Sequence, residues 1–297
     1  MKYLSILLII TCVLFSCQSE TSGENRNTKT QMDDTKETIP EKRNVKPDGS
    51  KYTIKELENM THDELMALTY EAPRDTIFTI GILLYDGYFS LDAMGPHSVF
   101  SSMYPAKTFF IAKEKGLIQS NNGLKTQVDT TIAEVKHLDI LVVPGGTADT
   151  YRATKDQKLL NWIRQIDQNS KYTTSVCTGA WILGAAGLLK GKKATTNWYD
   201  AENKLKGYGA TFVNKRYTND GKYWTSAGVS AGIDMSLALV DHTMGRNYAD
   251  FVMLNLEYDP APPFEGGSPE KTDPVVTYMT KKMYDFYIEP VIKELNP

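Results

Sequence analysis

Cys177 stands where the sequence changes character. Before it, Tyr172–Val176 is a short, partly β-branched run with the make-up of a buried strand. After it, from Thr178 to Leu189, comes a run of small and aliphatic residues that reads as a helix. A cysteine on such a strand-to-helix corner can aim its sulfur at the positive end of the helix, where backbone N–H groups lack partners. That setting favours the thiolate, which is the nucleophile. A small thiol buried for packing is the competing reading, because free cysteine is among the most buried residue types. Two further strand ends carry chemistry. The apolar run at 76–85 leads into YDGYFSLDAMGP, which sets Asp92 near the start of a helix. The run DILVVPGG at 139–146 ends in Pro144-Gly145-Gly146, whose bare backbone could point N–H groups at a developing oxyanion. The alternatives are a helix-capping or first-turn acid for Asp92 and a tight turn for the glycines.

These groups meet only if the chain between them folds to bring strand ends together. The pattern predicts a helix from Leu91 to Met103, a strand at 108–114 and a hairpin within 116–131 around Asn121-Asn122-Gly123. A helix at 156–168 precedes the strand that leads to Cys177. WTSAGVSAGIDMSLALV, at 224–240, reads as a strand end, a small-residue turn and a helix. Ser226 to Ser230 could line a pocket there, and Asp234 is assigned to helix packing or capping. Strands alternating with helices predict an α/β fold, a three-layer sandwich with a mostly parallel sheet. Ligands in such sheets bind at the carboxyl ends of the strands. Residues 76–297 suit one domain, with no internal repeat.

The N-terminal part is of a different kind. Lys2 precedes a short apolar stretch, Leu4 to Phe15, in the pattern of an export signal. Leu14-Phe15-Ser16-Cys17 resembles a bacterial lipobox, in which the cysteine is lipidated and becomes the new N-terminus. This reading gives residues 1–17 as signal, Cys17 as lipidation site, and an exported protein anchored to a bacterial membrane. Residues 18–50 hold almost no large apolar side chain and read as a disordered tether. Two short helices, near 53–59 and 62–70, are expected to pack on the main domain, with Thr61 and Glu64 at capping-box spacing. Of the three cysteines, processing at Cys17 leaves Cys177 as the only free thiol, so no internal disulfide can form. A solitary exported cysteine is either buried and inert or kept for its reactivity. Net charge is −3 and no Lys/Arg block stands out, which argues against nucleic acid as a partner. No metal-ligand spacing, GxGxxG or P-loop is present, and no cofactor is expected.

LLYDGYFSLDAMGPHSVF, DILVVPGG, SVCTGAWILGAAGLLKGKKATTNW and WTSAGVSAGIDMSLALV together resemble the ThiJ/PfpI family, the cysteine-elbow group of the class I glutamine-amidotransferase-like fold. Within it the likeness is to isonitrile hydratase and to the amidase-like sensor domains of some AraC-type regulators. The resemblance spans roughly 76–250. It implies Cys177 as the nucleophile, Asp92 as the acidic residue approaching it, and Thr178 as the residue required after it. Thr178 could also merely start its helix. The amides of Gly146 and Thr178 would bind an oxyanion, with Gly145 in the same turn. Related sequences often read TTHW where this one has Thr195-Thr196-Asn197-Trp198. Asn197 cannot move a proton at neutral pH, so a Cys-His dyad is doubtful, while chemistry on Cys and Asp alone survives. Asn197 could hydrogen-bond a substrate or be a polar loop residue. His62, His97, His137 and His242 lie in segments that do not match the missing one. Three functions follow from the resemblance. The first is addition of water to a small electrophilic carbon. The second is glyoxalase-like or deglycase-like action on reactive aldehydes. The third is a non-enzymatic small-molecule or redox sensor. The implied partner is a small molecule, and a homodimer is admitted. About 50 residues follow Gly245, too few for a regulator's DNA-binding module.

Overall fold

The computed structural model describes residues 45–70 and 72–295. The signal segment, Cys17 and the tether up to residue 44 lie outside the described residues. The chain divides into two units, 1–51 and 52–297. In the first, Val45 and Lys51 form an isolated antiparallel bridge.

The second unit opens with α1 (Ile54–Glu58) and α2 (His62–Thr69). Each begins with a complete capping box, Thr53 with Glu56 and Thr61 with Glu64, so two orphan amides are satisfied at each start. Neither helix buries a residue, contrary to the packing expected of them. Contact with the rest of the unit is made just after α2, where the Tyr70 ring lies 4.8 Å from that of Tyr248.

Next come β1 (Thr79–Leu83), α3 (Ser90–Phe100), β2 (Lys107–Ala112) and the hairpin β3 (Leu117–Gln119) and β4 (Lys125–Gln127). β5 (Thr130–Thr131), β6 (Ile140–Val143), α4 (Ala148–Ala153), α5 (Gln157–Asn169), β7 (Tyr172–Val176) and α6 (Gly179–Ala185) follow. The chain continues through β8 (Lys193–Ala194), α7 (Ala201–Gly207), β9 (Thr211–Phe212), β10 (Tyr217–Asp220) and β11 (Tyr223–Ser226). It ends in α8 (Ala231–Met244), α9 (Arg246–Asn255) and α10 (Pro274–Leu295).

Seven strands form the main sheet in the order β10-β11-β7-β6-β1-β2-β5, and every pairing except β10 with β11 is parallel. Successive side chains of a strand face opposite sides, and the two cores follow that alternation. Ile80, Ile82, Ile140 and Val142 face the layer holding Val99, Phe100, Met235 and Leu239 from α3 and α8. Leu83, Leu141 and Val143 face Leu159, Leu160 and Ile163 of α5 and Ile182 and Leu183 of α6. A third cluster joins Ile288 of α10 to Trp181 and Tyr199.

The chain steps outward from β1 to β2 and β5, then crosses back to β6 and proceeds to β7 and β11. The connections therefore diverge between β1 and β6, where the carboxyl ends of strands open a crevice. Asp92, Gly145 and Cys177 all follow strands at this place.

Candidate active site

β7 is buried along its whole length, and only two residues separate it from α6. Cys177 makes the corner with φ of 57°, a left-handed conformation that a non-glycine residue adopts at a cost of about 1–3 kcal/mol. Flanking bonds hold it there. Its N–H donates to Ser226 O at 3.1 Å, and its carbonyl accepts from Thr196 Oγ1 at 2.8 Å. Gly179 makes the close start of α6 feasible, since a Cβ at that position would come within 2.1 Å of Val143 O. α6 ends at Ala185 rather than running to Leu189, because Gly187 turns the chain at φ 81°.

Asp92 lies in the first turn of α3 and is fully buried, yet it caps nothing there. Its Oδ2 accepts the Gly145 N–H at 2.9 Å, and Oδ1 has no complete hydrogen bond with any described group. The Gly145 carbonyl accepts the Phe89 N–H at 2.8 Å, and Tyr88 bridges Gly146. The turn after β6 is thus laced to the segment that carries Asp92. Gly145 is needed for the close approach: a Cβ would lie 2.6 Å from Thr178 N and 2.9 Å from Asp92 Oδ2.

Thr178 closes the other side. Its hydroxyl donates to Gly146 O at 2.6 Å, accepts the Gly146 N–H at 3.0 Å, and sits 3.1 Å from Thr150 Oγ1. Tyr85 OH reaches Pro144 O and Thr150 Oγ1, each at 2.9 Å. Both glycine amides of the turn are thus engaged within the protein. The Gly145 N–H is committed to Asp92 and the Gly146 N–H to Thr178, so neither is open to an oxyanion while those bonds hold. Ser226 serves through its carbonyl on Cys177, and its hydroxyl turns to Ser175 O. Asp234 pairs with Arg216 at 2.5 Å and accepts from Tyr258, away from the cysteine.

The protonation of the pair also departs from expectation. Cys177 is buried, and burial followed by the adjacent Asp92 charge pushes the thiol well above its ordinary range. The Thr178 N–H and the Asn197 amide act as donors toward the sulfur and oppose this, but do not win. A short helix cannot offset a dry site that already holds a carboxyl group, so the thiol is the resting form. Burial raises Asp92 to about 7, against the opposing donation from Gly145 and Cys177. This acid changes charge close to neutrality.

Asn197 is buried, and its Oδ1 accepts the Tyr199 N–H at 3.0 Å. Hydrogen bonding from Asn197 works against the rise of the Cys177 thiol and of the phenol of Tyr284 on α10, a neighbour that the sequence pattern did not indicate. The Tyr284 ring stacks on Tyr199 at 4.9 Å and meets Trp198 edge-on at 5.8 Å. The four histidines are placed elsewhere. His97 stacks on Phe110, His242 meets Tyr172 and Trp224, His137 lies 3.6 Å from Asp139, and His62 begins α2. Among the described residues no His/Cys/Asp/Glu group is arranged to hold a metal ion.

Residues 79–242, which hold the crevice and its three strand ends, match the DJ-1/PfpI family. The chain belongs to this family. Isonitrile hydratase from Pseudomonas putida is 39% identical over 203 residues, covering 68% of this chain and 88% of that protein. Deglycase PfpI from Pyrococcus furiosus is 30% identical over 123 residues, covering 41% of this chain and 72% of that protein. The crystal structure of a ThiJ/PfpI family protein from Pseudomonas syringae superposes with a TM-score of 0.72 at 35% identity, covering 78% of this chain and 94% of that one. α9 and α10 follow the residues that match the family.

Proposed function

We propose that this protein is a cysteine-dependent enzyme that adds water to a small electrophilic carbon, with an isonitrile as the substrate class. The observation that carries the reading is the buried pair of Cys177 and Asp92, set together with no histidine at hand. The likeness to isonitrile hydratase over most of that protein supports it.

The pair suits a substrate that takes up both sulfur and proton. Sulfur bonds the terminal carbon of the isonitrile as Asp92 receives the thiol proton and passes it to that carbon. The product of this step is a thioimidate on Cys177. Asp92 then takes a proton from water as the water oxygen bonds the same carbon, and the nitrogen receives that proton. Finally the C–S bond breaks, the hydroxyl proton returns to sulfur through Asp92, and an N-substituted formamide leaves. One water is consumed and the thiol is regenerated.

Purified protein offered a panel of isonitriles, methylglyoxal and small amides tests the reading. Isonitriles should be turned over, and Cys177→Ser should abolish that turnover. Turnover of methylglyoxal alone would replace this reading with the aldehyde chemistry to which the likeness with deglycase PfpI points. Binding without turnover of any of them would make the protein a sensor. The reading of residues 1–17 as a lipoprotein signal, with Cys17 as the lipidated residue, belongs to the same proposal and rests on the sequence.

A further inference from the structure

The Thr178 hydroxyl holds both polar groups of Gly146 at once, donating to the carbonyl at 2.6 Å and accepting the N–H at 3.0 Å. Two further hydroxyls stand behind it. Thr150 Oγ1, on α4, lies 3.1 Å from Thr178 Oγ1. Tyr85 OH, just beyond β1, lies 2.9 Å from Thr150 Oγ1 and 2.9 Å from Pro144 O. Thr150 and Thr178 are buried. The fit is tight. A Cβ on Gly146 would meet Thr150 Oγ1 at 3.1 Å, and one on Gly145 would meet both Thr178 N and Thr178 Oγ1 at 2.6 Å.

Counting hydrogens fixes the direction of this chain. Each hydroxyl has one proton to give and two lone pairs with which to accept, whereas a carbonyl only accepts. The Thr178 proton goes to Gly146 O, so Thr150 must be the donor to Thr178. The Thr150 proton is then spent, so Tyr85 must be the donor to Thr150, with its proton shared with Pro144 O. The Thr178 oxygen thus carries the Gly146 N–H and the Thr150 O–H on its lone pairs and is saturated. A fully satisfied buried network rigidifies what it holds. What this one holds is the residue whose N–H adjoins Cys177. The Gly145 amide is taken by Asp92 and the Gly146 amide by Thr178, so the Thr178 N–H is the backbone donor of this corner for charge at the sulfur.

We propose that Tyr85 and Thr150 are positioning residues that act through Thr178: their one-way chain of hydrogen bonds pins its hydroxyl on the turn and thereby holds its N–H at the sulfur. The ends of β1, β6 and β7 are in this way tied into one corner. For the turnover of an isonitrile the assignment rests on the hydration reading, but the positioning is measurable on Cys177 without it.

The test compares the full chain with Thr150→Val, which keeps the branched shape and loses the hydroxyl, with Thr150→Ser, which restores it, with Thr178→Val, and with the double variant. The readout is the rate of iodoacetamide alkylation at Cys177, followed on its peptide by mass spectrometry at one fixed pH. Thr150→Val should be slower by about 3–10-fold, the worth of one buried hydrogen bond. Thr150→Ser should recover the wild-type rate. Adding Thr150→Val to Thr178→Val should cause no further fall, because the link it cuts is already gone. For an isonitrile, kcat should fall by a similar factor at constant KM. Where Thr178→Val does not fold, Tyr85→Phe takes its place in the cycle, since it cuts the same chain. An unchanged or faster rate in Thr150→Val overturns the assignment. So does a fall that serine does not rescue, which would mean that Thr150 only fills space, and so does a full further fall in the double variant. If no isonitrile is turned over but the alkylation rates behave as expected, the hydration reading fails and the positioning stands. If Thr150→Val hydrates isonitriles at the wild-type kcat, the positioning fails and the hydration reading stands.

Discussion

Asp92 Oδ2 accepts the Gly145 N–H at 2.9 Å, joining residues 53 apart in sequence. An acid that merely capped α3 would spend its oxygens on the first amides of its own helix, and this one does not. The bond anchors one oxygen and leaves Oδ1 buried without a hydrogen-bond partner among the described groups. One carboxyl group thereby both fixes the turn after β6 and stands ready to exchange a proton.

Asp92 sets a pH dependence whose sign follows from its raised affinity. Folded, it ionises at about 7, against an ordinary 3.8. Between those values the folded protein keeps a proton that the unfolded chain has released, so stability declines as pH rises from about 4 to 7 and is flat above. Asp92→Asn should remove that slope, gaining on the wild type toward alkaline pH by at most about 4 kcal/mol. Urea unfolding at pH 4 and pH 8 measures it. Activity should run the other way in the wild type, falling below pH 7, and the variant should lose about 10²–10⁴-fold in turnover.

The Cys177 thiol should alkylate slowly at neutral pH, with the rate climbing beyond the range of an ordinary cysteine, because burial and Asp92 both favour the protonated form. Asp92→Asn removes the second cause and should speed alkylation at any one pH. Iodoacetamide rates from pH 6 to 10, read on the Cys177 peptide, check both. A slower reaction in Asp92→Asn would mean that the carboxylate activates the thiol more than it restrains it.

Gly179→Ala should be costly. Its Cβ would meet a backbone oxygen, Val143 O, at 2.1 Å, so the start of α6 must lift off β6. A loss of about 1–3 kcal/mol or more is expected by chemical denaturation. Gly207→Ala is the control, since nothing lies within 4 Å of that position. It should change stability by less than about 1 kcal/mol.

Cys17→Ala should abolish incorporation of labelled palmitate in cells if residues 1–17 are a lipoprotein signal. Label retained by the variant would remove the lipid anchor from the proposal.

Features encoded locally were legible in the sequence. Tyr172–Val176 is a strand as read, Thr61 and Glu64 cap a helix as spaced, and Asn121-Asn122-Gly123 lies between the two strands of a hairpin. Each depends on a few adjacent residues and a simple period. What failed depends on distant partners. The Gly146 amide reads as free until the Thr178 hydroxyl, 32 residues away, is brought against it. The thiol reads as activated until the site around it closes and excludes water. Tyr284 gave no signal, because α10 carries only a few inward residues and meets Trp198 and Tyr199 solely through folding.

The two-way exchange between Gly145 and residues 89–92 constrains how this site can be re-engineered. Its N–H goes to Asp92 and its carbonyl to the Phe89 amide, so the turn after β6 and the loop after β1 form one interlocked part. A residue inserted into either loop would shift that register and carry Asp92 away from the sulfur. Pocket redesign by loop grafting should therefore exchange the two segments as a matched pair.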